Sequence, residues 1–258
     1  MNNIRLSERV FWDKIHFGKK ISCVYPKINS RFLDFELDRT FRKYFTKGKN
    51  KVFEIGCGSS VWLPYFAKVY GYEVSGIDYS SKGADNAGNI LKYHGLCGNI
   101  YRGDAFENKD RRIGNYDIVF SLGFLEHFEN TTEVINMMRG YLADKGVVIV
   151  WIPNTLGYAI TISRYFNKSL RGIYCMLDLL KLKTYFTQAG FNILEARYTQ
   201  FMDMSFINIT ALRNNAQKLL SLFFNLINMV FIQIEKIFHV RINTPKLYGG
   251  IIVVAEKS

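Results

Sequence analysis

Cysteine is scarce in this chain and never clusters. Cys23, Cys57, Cys97 and Cys175 show no C-x-x-C spacing, so neither a disulfide framework nor a thiolate metal site is expected, and a reducing compartment fits best. Four histidines spread along the sequence supply no structural zinc set either. Residues 1–10 are polar and lack the apolar core of a secretory leader, so the expected location is the cytoplasm. There is no internal repeat and no low-complexity tract. What remains is one soluble α/β chain: 258 residues, 48% of them hydrophobic, suffice for a full core.

Acid is thin at the start. Residues 1–51 hold thirteen Lys and Arg against five Asp and Glu, a net of +8 within a total of +12. Arg39, Arg42, Lys43, Lys47, Lys49 and Lys51 crowd the approach to the first strand. This surplus admits a solvated helix face with a basic loop, an anionic substrate, an anionic membrane surface, or nucleic acid. Nucleic acid is the least expected, because no RNA-binding module is appended. The nearby Phe32, Phe35, Phe41, Tyr44 and Phe45 recur at helical spacing, as a core face does.

A third glycine is missing from the most informative motif. Val52-Phe53-Glu54-Ile55-Gly56-Cys57-Gly58-Ser59-Ser60 reads as a buried strand from Lys51 to Ile55, a glycine turn, and a helix opening near Ser59. Such a junction suits a nucleotide: glycines let backbone approach, and free N–H groups and the helix dipole attract polar atoms. The dinucleotide fingerprint G-x-G-x-x-G, however, needs glycine where Val61 stands. A second apolar run, Tyr72 to Ile77, ends in Asp78-Tyr79-Ser80. Asp78 follows Gly58 by 20 residues, where a βαβ unit places the carboxylate that takes a ribose diol. Gly103-Asp104-Ala105 closes a third segment. Tyr116 to Ser121 makes a fourth strand, followed by Leu122 to Phe128. Leu142 to Gly146 turns into a fifth strand, Val147 to Ile152. Blander roles stay open for several residues: Glu54 as a solvated strand end, Asp78 as a helix cap, Gly103-Asp104 as an ordinary turn, Cys57 as a small loop filler.

The ordered set over residues 51–154 resembles the motifs of class I S-adenosylmethionine (SAM)-dependent methyltransferases of the small-molecule type. The resemblance implies an α/β, Rossmann-like, mostly parallel seven-stranded sheet with helices on both faces, an antiparallel last strand, and a helical insertion between strands six and seven. It implies SAM as cofactor and no metal. In that family the glycine loop lies against the amino acid end of SAM, a zwitterion that gives an acid and bare N–H groups something to bind. The implied cofactor residues are Glu54, Gly56, Cys57 and Gly58, then Asp78, Tyr79 and Ser80, then Gly103, Asp104 and Ala105, with Asp104 toward the adenine amino group, and finally Ser121 and Leu122. Residues 1–50 are expected to form a helical cap over the cofactor, with Phe11 to His16 closest. Residues 51–258 form the binding domain, with insertions at 155–180 and 203–243.

The second insertion holds a stretch without charge. Residues 219–234 contain only four polar side chains among sixteen, too short for a span of about 20 apolar residues. Asn214, Lys218, Ser221, Asn225 and Asn228 make a narrow polar stripe on an otherwise apolar helix. Such a helix is a buried lid, a dimer contact through 205–240, or an element laid on lipid. In the first insertion Tyr158, Arg164, Tyr165, Arg171 and Tyr174 are candidates to touch the acceptor.

The N/D-P-P-Y signature of many amino-group methyltransferases is also absent; Ser121-Leu122-Gly123-Phe124 stands in its place. That argues against adenine, glutamine or a similar amide nitrogen as the methyl acceptor. A hydroxyl must lose a proton, and His127 is the best-placed base by sequence, although in the resembling family an E-H pair also shapes the pocket without proton transfer. The expectation is O-methylation of a small-molecule, glycan or lipid-linked acceptor by a cytoplasmic or membrane-associated enzyme. The alternatives are an RNA or protein methyltransferase and a non-catalytic methyltransferase-like binding subunit.

Overall fold

The computed structural model describes residues 5–17, 25–45, 50–107, 115–166, 172–204, 207, 214–238 and 244–258. Lys47, Lys49, Arg171 and parts of both insertions lie outside the described residues.

Seven strands form one sheet: β1 (Lys51–Ile55), β2 (Glu73–Asp78), β3 (Asn99–Arg102), β4 (Tyr116–Leu122), β5 (Leu142–Pro153), β6 (Phe191–Phe201) and β7 (Tyr248–Lys257). Their order is β3-β2-β1-β4-β5-β7-β6. The first five strands run parallel, whereas β7 is antiparallel to both β5 and β6. β1, β2 and β7 are buried along nearly their whole length, as strands covered on both faces must be. Val147, Val148, Ile149 and Val150 pair in register with Glu256, Ala255, Val254 and Val253, which seats the last strand in the middle of the sheet.

Helices cover the two faces. On one, Val134, Ile135 and Met138 of α5 (Thr131–Tyr141) join Leu182 and Phe186 of α7 (Leu179–Gln188) over β1, β4 and β5. On the other, α2 (Phe32–Tyr44), the short α3 (Trp62–Tyr65) and α4 (Ser81–Tyr93) bury Leu37, Phe41, Leu63, Ala87 and Leu91. The ring of Phe41 stands 4.9 Å from both Trp62 and Phe66 and 5.8 Å from Phe120. The aromatic spacing in α2 is therefore core packing, as the sequence implied.

The strand order reverses between β1 and β4. Their carboxyl ends open the crevice where open α/β sheets bind ligands. α1 (Arg9–His16) lies at that edge. The insertion after β6 contains α8 (Asn214–Phe238), a helix of 25 residues.

The basic residues of α2 are engaged within the protein. Arg39 bonds Glu36 at 2.9 Å and Glu235 at 3.2 Å. Arg42 bonds Asp38 at 2.6 Å, and Lys43 bonds Glu195 at 2.6 Å. Cations held by their own acids make a poor phosphate-binding stripe, and this part of the charge surplus is structural.

Candidate active site

β1 carries Glu54 into the crevice and passes the chain to Gly56, whose φ is +78°. A Cβ there would sit 3.3 Å from the Phe124 ring, so the turn needs glycine on both counts. The loop beyond differs from the sequence expectation. Its N–H groups are not bare: Gly56 and Cys57 donate to the Ile77 carbonyl at 2.9 and 3.1 Å, and Gly58 donates to Asp78 Oδ2 at 2.6 Å. The loop is stitched to the end of β2. No helix opens at Ser59, which has φ 58°. α3 begins at Trp62, and the N–H groups of Trp62 and Leu63 donate to Ser60 Oγ at 3.1 and 3.2 Å. The helical chain continues from Trp62 through Tyr70, its last five residues in π geometry, and Ser60 takes two of its first N–H groups. Cys57 is fully buried, in a space that a Cβ on Gly76 would close to 2.8 Å from its sulfur. Its side chain is loop packing.

The crevice instead presents acceptors. Burial pushes the Glu54 carboxyl up to about 8; a hydrogen bond from Ser60 opposes this and the Asp78 charge adds to it. Among the described residues Glu54 Oε2 has no hydrogen-bond partner, and neither has Ser121 Oγ on the adjacent strand, beside Ile55 in register. Burial also lifts Asp78 to about 6, against bonds from the Ser80 and Gly58 N–H groups. Ser80 caps α4: its Oγ accepts from Gly83 N–H at 3.0 Å and donates to Asp13 Oδ1 at 2.6 Å. Asp78 is therefore not the cap; it accepts from Ser80 N–H at 2.8 Å.

The third segment joins here. Gly103 N–H donates to the Asp78 carbonyl at 3.0 Å, and the Ala105 carbonyl accepts from Tyr141 Oη at 2.9 Å. Asp104 Oδ1 accepts from Phe106 N–H at 3.0 Å, while Oδ2 pairs with Arg5. Arg5 also lies over the Tyr79 ring, 4.3 Å from its centroid. Where the resemblance places adenine, this chain places its own guanidinium. Leu122 pairs with Trp151 in register, at the rim of the crevice.

The N-terminal segment bridges the site from end to end. Leu6 N–H donates to the His127 carbonyl at 2.9 Å, and the Trp12 ring meets His127 edge-on at 4.8 Å. Across the crevice, His16 Nδ1 is 3.3 Å from Ser59 Oγ. Sequence reasoning pointed to residues 11–16 but missed Arg5. Its partner Asp104 is 99 residues away, and no local pattern encodes such a contact.

At the other end lie Glu126 and His127, both buried. His127 Nδ1–H donates to the Ile173 carbonyl at 2.9 Å, which leaves Nε2 with its lone pair. Nε2 is 3.8 Å from Glu126 Oε1, and Glu126 Oε2 has no partner among the described residues. Burial drives the two groups apart, Glu126 up to about 8 and His127 down to about 4. At neutral pH the pair holds a protonated acid beside a neutral imidazole, an acid/base assignment set by environment. Sequence reasoning named Glu126 only as part of an E-H pair. Of the acceptor candidates, Tyr174 comes to 5.2 Å from the His127 ring. Tyr158 Oη donates to the Asp203 carbonyl at 2.5 Å, Arg164 points at Met176 Sδ at 3.4 Å, and Tyr165 is 79% exposed. Of the described candidates in the first insertion, Tyr174 alone reaches the pair. Among the described residues no cluster of His, Cys, Asp and Glu could hold a metal ion.

Comparison with known proteins converges on one family. The family profile described as a methyltransferase domain matches residues 26–196, well over half of the chain. The ubiquinone biosynthesis O-methyltransferase of Rickettsia felis is 24% identical over 127 residues, which are 49% of this chain and 51% of that protein. The chain therefore spans about half the length of the curated relatives it matches. The structure of Haemonchus contortus phosphoethanolamine N-methyltransferase 2 in complex with SAM superposes with a TM-score of 0.65 at 19% identity, covering 97% of this chain and 60% of that one. A SAM dependent methyltransferase from Archaeoglobus fulgidus gives 0.55 at 18% identity, covering 86% and 94%. At such identities the structural likeness establishes the fold.

Proposed function

This chain belongs to the methyltransferase-domain family, and we propose that it is a SAM-dependent methyltransferase acting on a hydroxyl of a small-molecule, glycan or lipid-linked acceptor. One observation carries the cofactor: the crevice offers the carboxyl groups of Glu54 and Asp78 and an orphaned hydroxyl, while the N–H groups of Gly56, Cys57 and Gly58 are already spent. A pyrophosphate needs donors and would face Glu54 and Asp78. A ligand with an ammonium group and a ribose diol supplies what these acceptors lack, with Glu54 and Ser121 toward the ammonium and Asp78 toward the diol. When bound, SAM supplies a methyl group already activated on a sulfonium. The protein's share is to hold the acceptor in line, exclude water and receive the acceptor's proton. His127 Nε2 takes that proton: the Ile173 carbonyl fixes the tautomer that leaves its lone pair available. The imidazole is neutral at working pH, but burial holds it at about 4, well below the near-neutral value expected from sequence, so it is a weak base. Oxygen as acceptor atom is supported by the missing amide-type signature and by relatives that are named O-methyltransferases.

Isothermal titration tests the cofactor. Wild-type protein is expected to bind SAM and S-adenosylhomocysteine but not NAD, and Asp78→Ala to weaken SAM binding by roughly 1.5–3 kcal/mol, the scale of charge-assisted hydrogen bonds. Absence of SAM binding by the wild type overturns the proposal.

A pH dependence follows. Glu54 faces a cation best as a carboxylate, yet burial keeps it protonated up to about pH 8. SAM binding is therefore accompanied by proton release, and affinity rises with pH by up to about tenfold per unit, levelling above about 8. In the free protein the sign is opposite: the raised carboxyl adds stability in full below 4.5, and this is lost as pH climbs to about 8. The rise in melting temperature caused by SAM should thus grow across this window, and Glu54→Gln should flatten it. An unchanged shift across the window would remove Glu54 from the ligand.

A further inference from the structure

α8 is built inside out. Two of its polar residues face the protein: Asn228 donates to Asp203 Oδ1 and accepts from Met204 N–H, both at 2.9 Å, and Glu235 accepts from Arg39 at 3.2 Å. Ile232 between them is fully buried, and Phe231 packs edge-on against Phe201 at 5.7 Å. Positions 228, 231, 232 and 235 form a stripe that touches the domain. The opposite side carries Leu219, Leu222, Phe223, Leu226, Met229 and Val230, each 45–70% exposed. Only 17% of the most apolar 18-residue window is buried. A core helix shows the reverse pattern, and an apolar strip of this length on a surface marks an interaction site.

The rim of the strip is basic. Lys27, Ser30, Arg31, Phe32 and Leu33 form a groove of about 440 Å³ with Asn225, Asn228 and Met229. Arg31 leans toward Asp34 at 3.7 Å but keeps 58% of its side chain exposed. Lys218 and Lys236 flank the uncharged run at its two ends. Lys236 lies over the Phe35 ring at 5.4 Å, so the charge at that end borders α2.

We propose that α8 is a monotopic membrane-docking helix. It lies in the interface of a bilayer with its Leu219–Val230 face among the acyl chains and Lys27, Arg31 and Lys218 at anionic headgroups. A cation beside an apolar strip is complementary to an anionic lipid surface. A second copy of the chain is a poorer occupant, because each copy carries +12 and brings the same basic rim to the contact. Crossing the bilayer is excluded by the anchors: Asn228 and Glu235 tie the middle and the end of α8 to the domain, which holds the helix along the protein surface. The inference stands independently of the methyl-transfer chemistry.

Cosedimentation of the full chain with phosphatidylcholine vesicles, with and without phosphatidylglycerol, tests it. The wild type should bind the anionic vesicles and bind neutral ones at least several-fold more weakly. Leu222→Asp with Phe223→Asp changes only exposed positions, so melting temperature and SAM affinity should hold while vesicle affinity falls at least about tenfold. Lys27→Glu with Arg31→Glu should erase the preference for anionic lipid. Phe223→Trp supplies a second readout: quenching of the introduced indole's fluorescence by lipids brominated along the acyl chains. No sedimentation with either vesicle, binding indifferent to the Asp pair, or fluorescence of the Phe223→Trp variant that brominated lipid leaves untouched would each overturn the proposal. So would a concentration-dependent dimer that the Asp pair dissolves, which would assign the face to a second copy.

Discussion

His127→Asn should lower kcat by about 10²–10⁴, the usual worth of a positioned base, while leaving the dissociation constant for SAM within about twofold. The substitution is chosen for its geometry. The Asn amide keeps a donor near the Nδ1 position and can hold the Ile173 carbonyl now bound at 2.9 Å, whereas the Nε2 lone pair disappears. A structural imidazole and a proton-accepting one then give different results. If His127 only fills the space against Trp12, the variant loses melting temperature and keeps kcat. If it takes the proton, kcat falls and folding does not. The assay is transfer of labelled methyl from SAM to a panel of phenols, glycans and lipid-linked phenols. A kcat within about threefold of wild type on an accepted substrate would end the proposal for His127. Glu126→Gln offers a companion measurement. It removes a group that titrates at about 8 and should remove any change in kcat near that pH.

Arg197→Met should cost about 3–5 kcal/mol in global stability, the scale of breaking a buried ion pair from one side. Arg197 stands on β6 and reaches α2 with every nitrogen engaged. Nη1 bonds Glu36 at 2.6 Å, Nε bonds Glu195 at 2.6 Å, and Nη2 bonds Thr40 at 3.1 Å. Glu36 is only 1% exposed, so water does not readily replace the lost guanidinium, and among the described residues Arg39 remains its other cation. Burial by itself would raise the Glu195 carboxyl, but bonds from Lys43 and Arg197 overcome it and hold the group at about 2. The sign is therefore that of a lowered acid: its contribution is present above 4.5 and is lost as pH falls toward 2. Urea denaturation near neutral pH, repeated in acid, measures both effects, and the deficit of the variant should shrink as the acids protonate. A loss under about 1 kcal/mol at neutral pH would place the network among ordinary surface pairs.

The cofactor crevice was largely legible without coordinates because its signals are local. Strand, turn and carboxylate follow one another within a few residues at Glu54–Gly58, at Asp78–Ser80 and at Gly103–Ala105. Each βα junction places its own end at the same edge of a parallel sheet. The residues that modify the site were not legible. Arg5 on Asp104, Trp12 on His127 and the Ile77 carbonyl that consumes two loop N–H groups are contacts between segments far apart in sequence. The expectation of a bare anion cradle failed for that reason: a glycine loop reads the same whether its N–H groups face a ligand or the next strand.

The sequence by itself placed the acids Glu54, Asp78 and Asp104 at or just past the ends of the first three strands, and an apolar helix in the insertion of residues 203–243. These follow from periodicity and spacing, which act over a turn or a strand. Only the tertiary structure decided the direction each face points. It turned the Asn228–Glu235 stripe of α8 inward and its leucines outward, and it matched the cations of α2 to acids on β6 and α8. It also drew His127 and Glu126 out of water until their proton affinities separated. Orientation and burial depend on which surfaces meet across the fold, and that information is spread over pairs of residues tens to hundreds of positions apart.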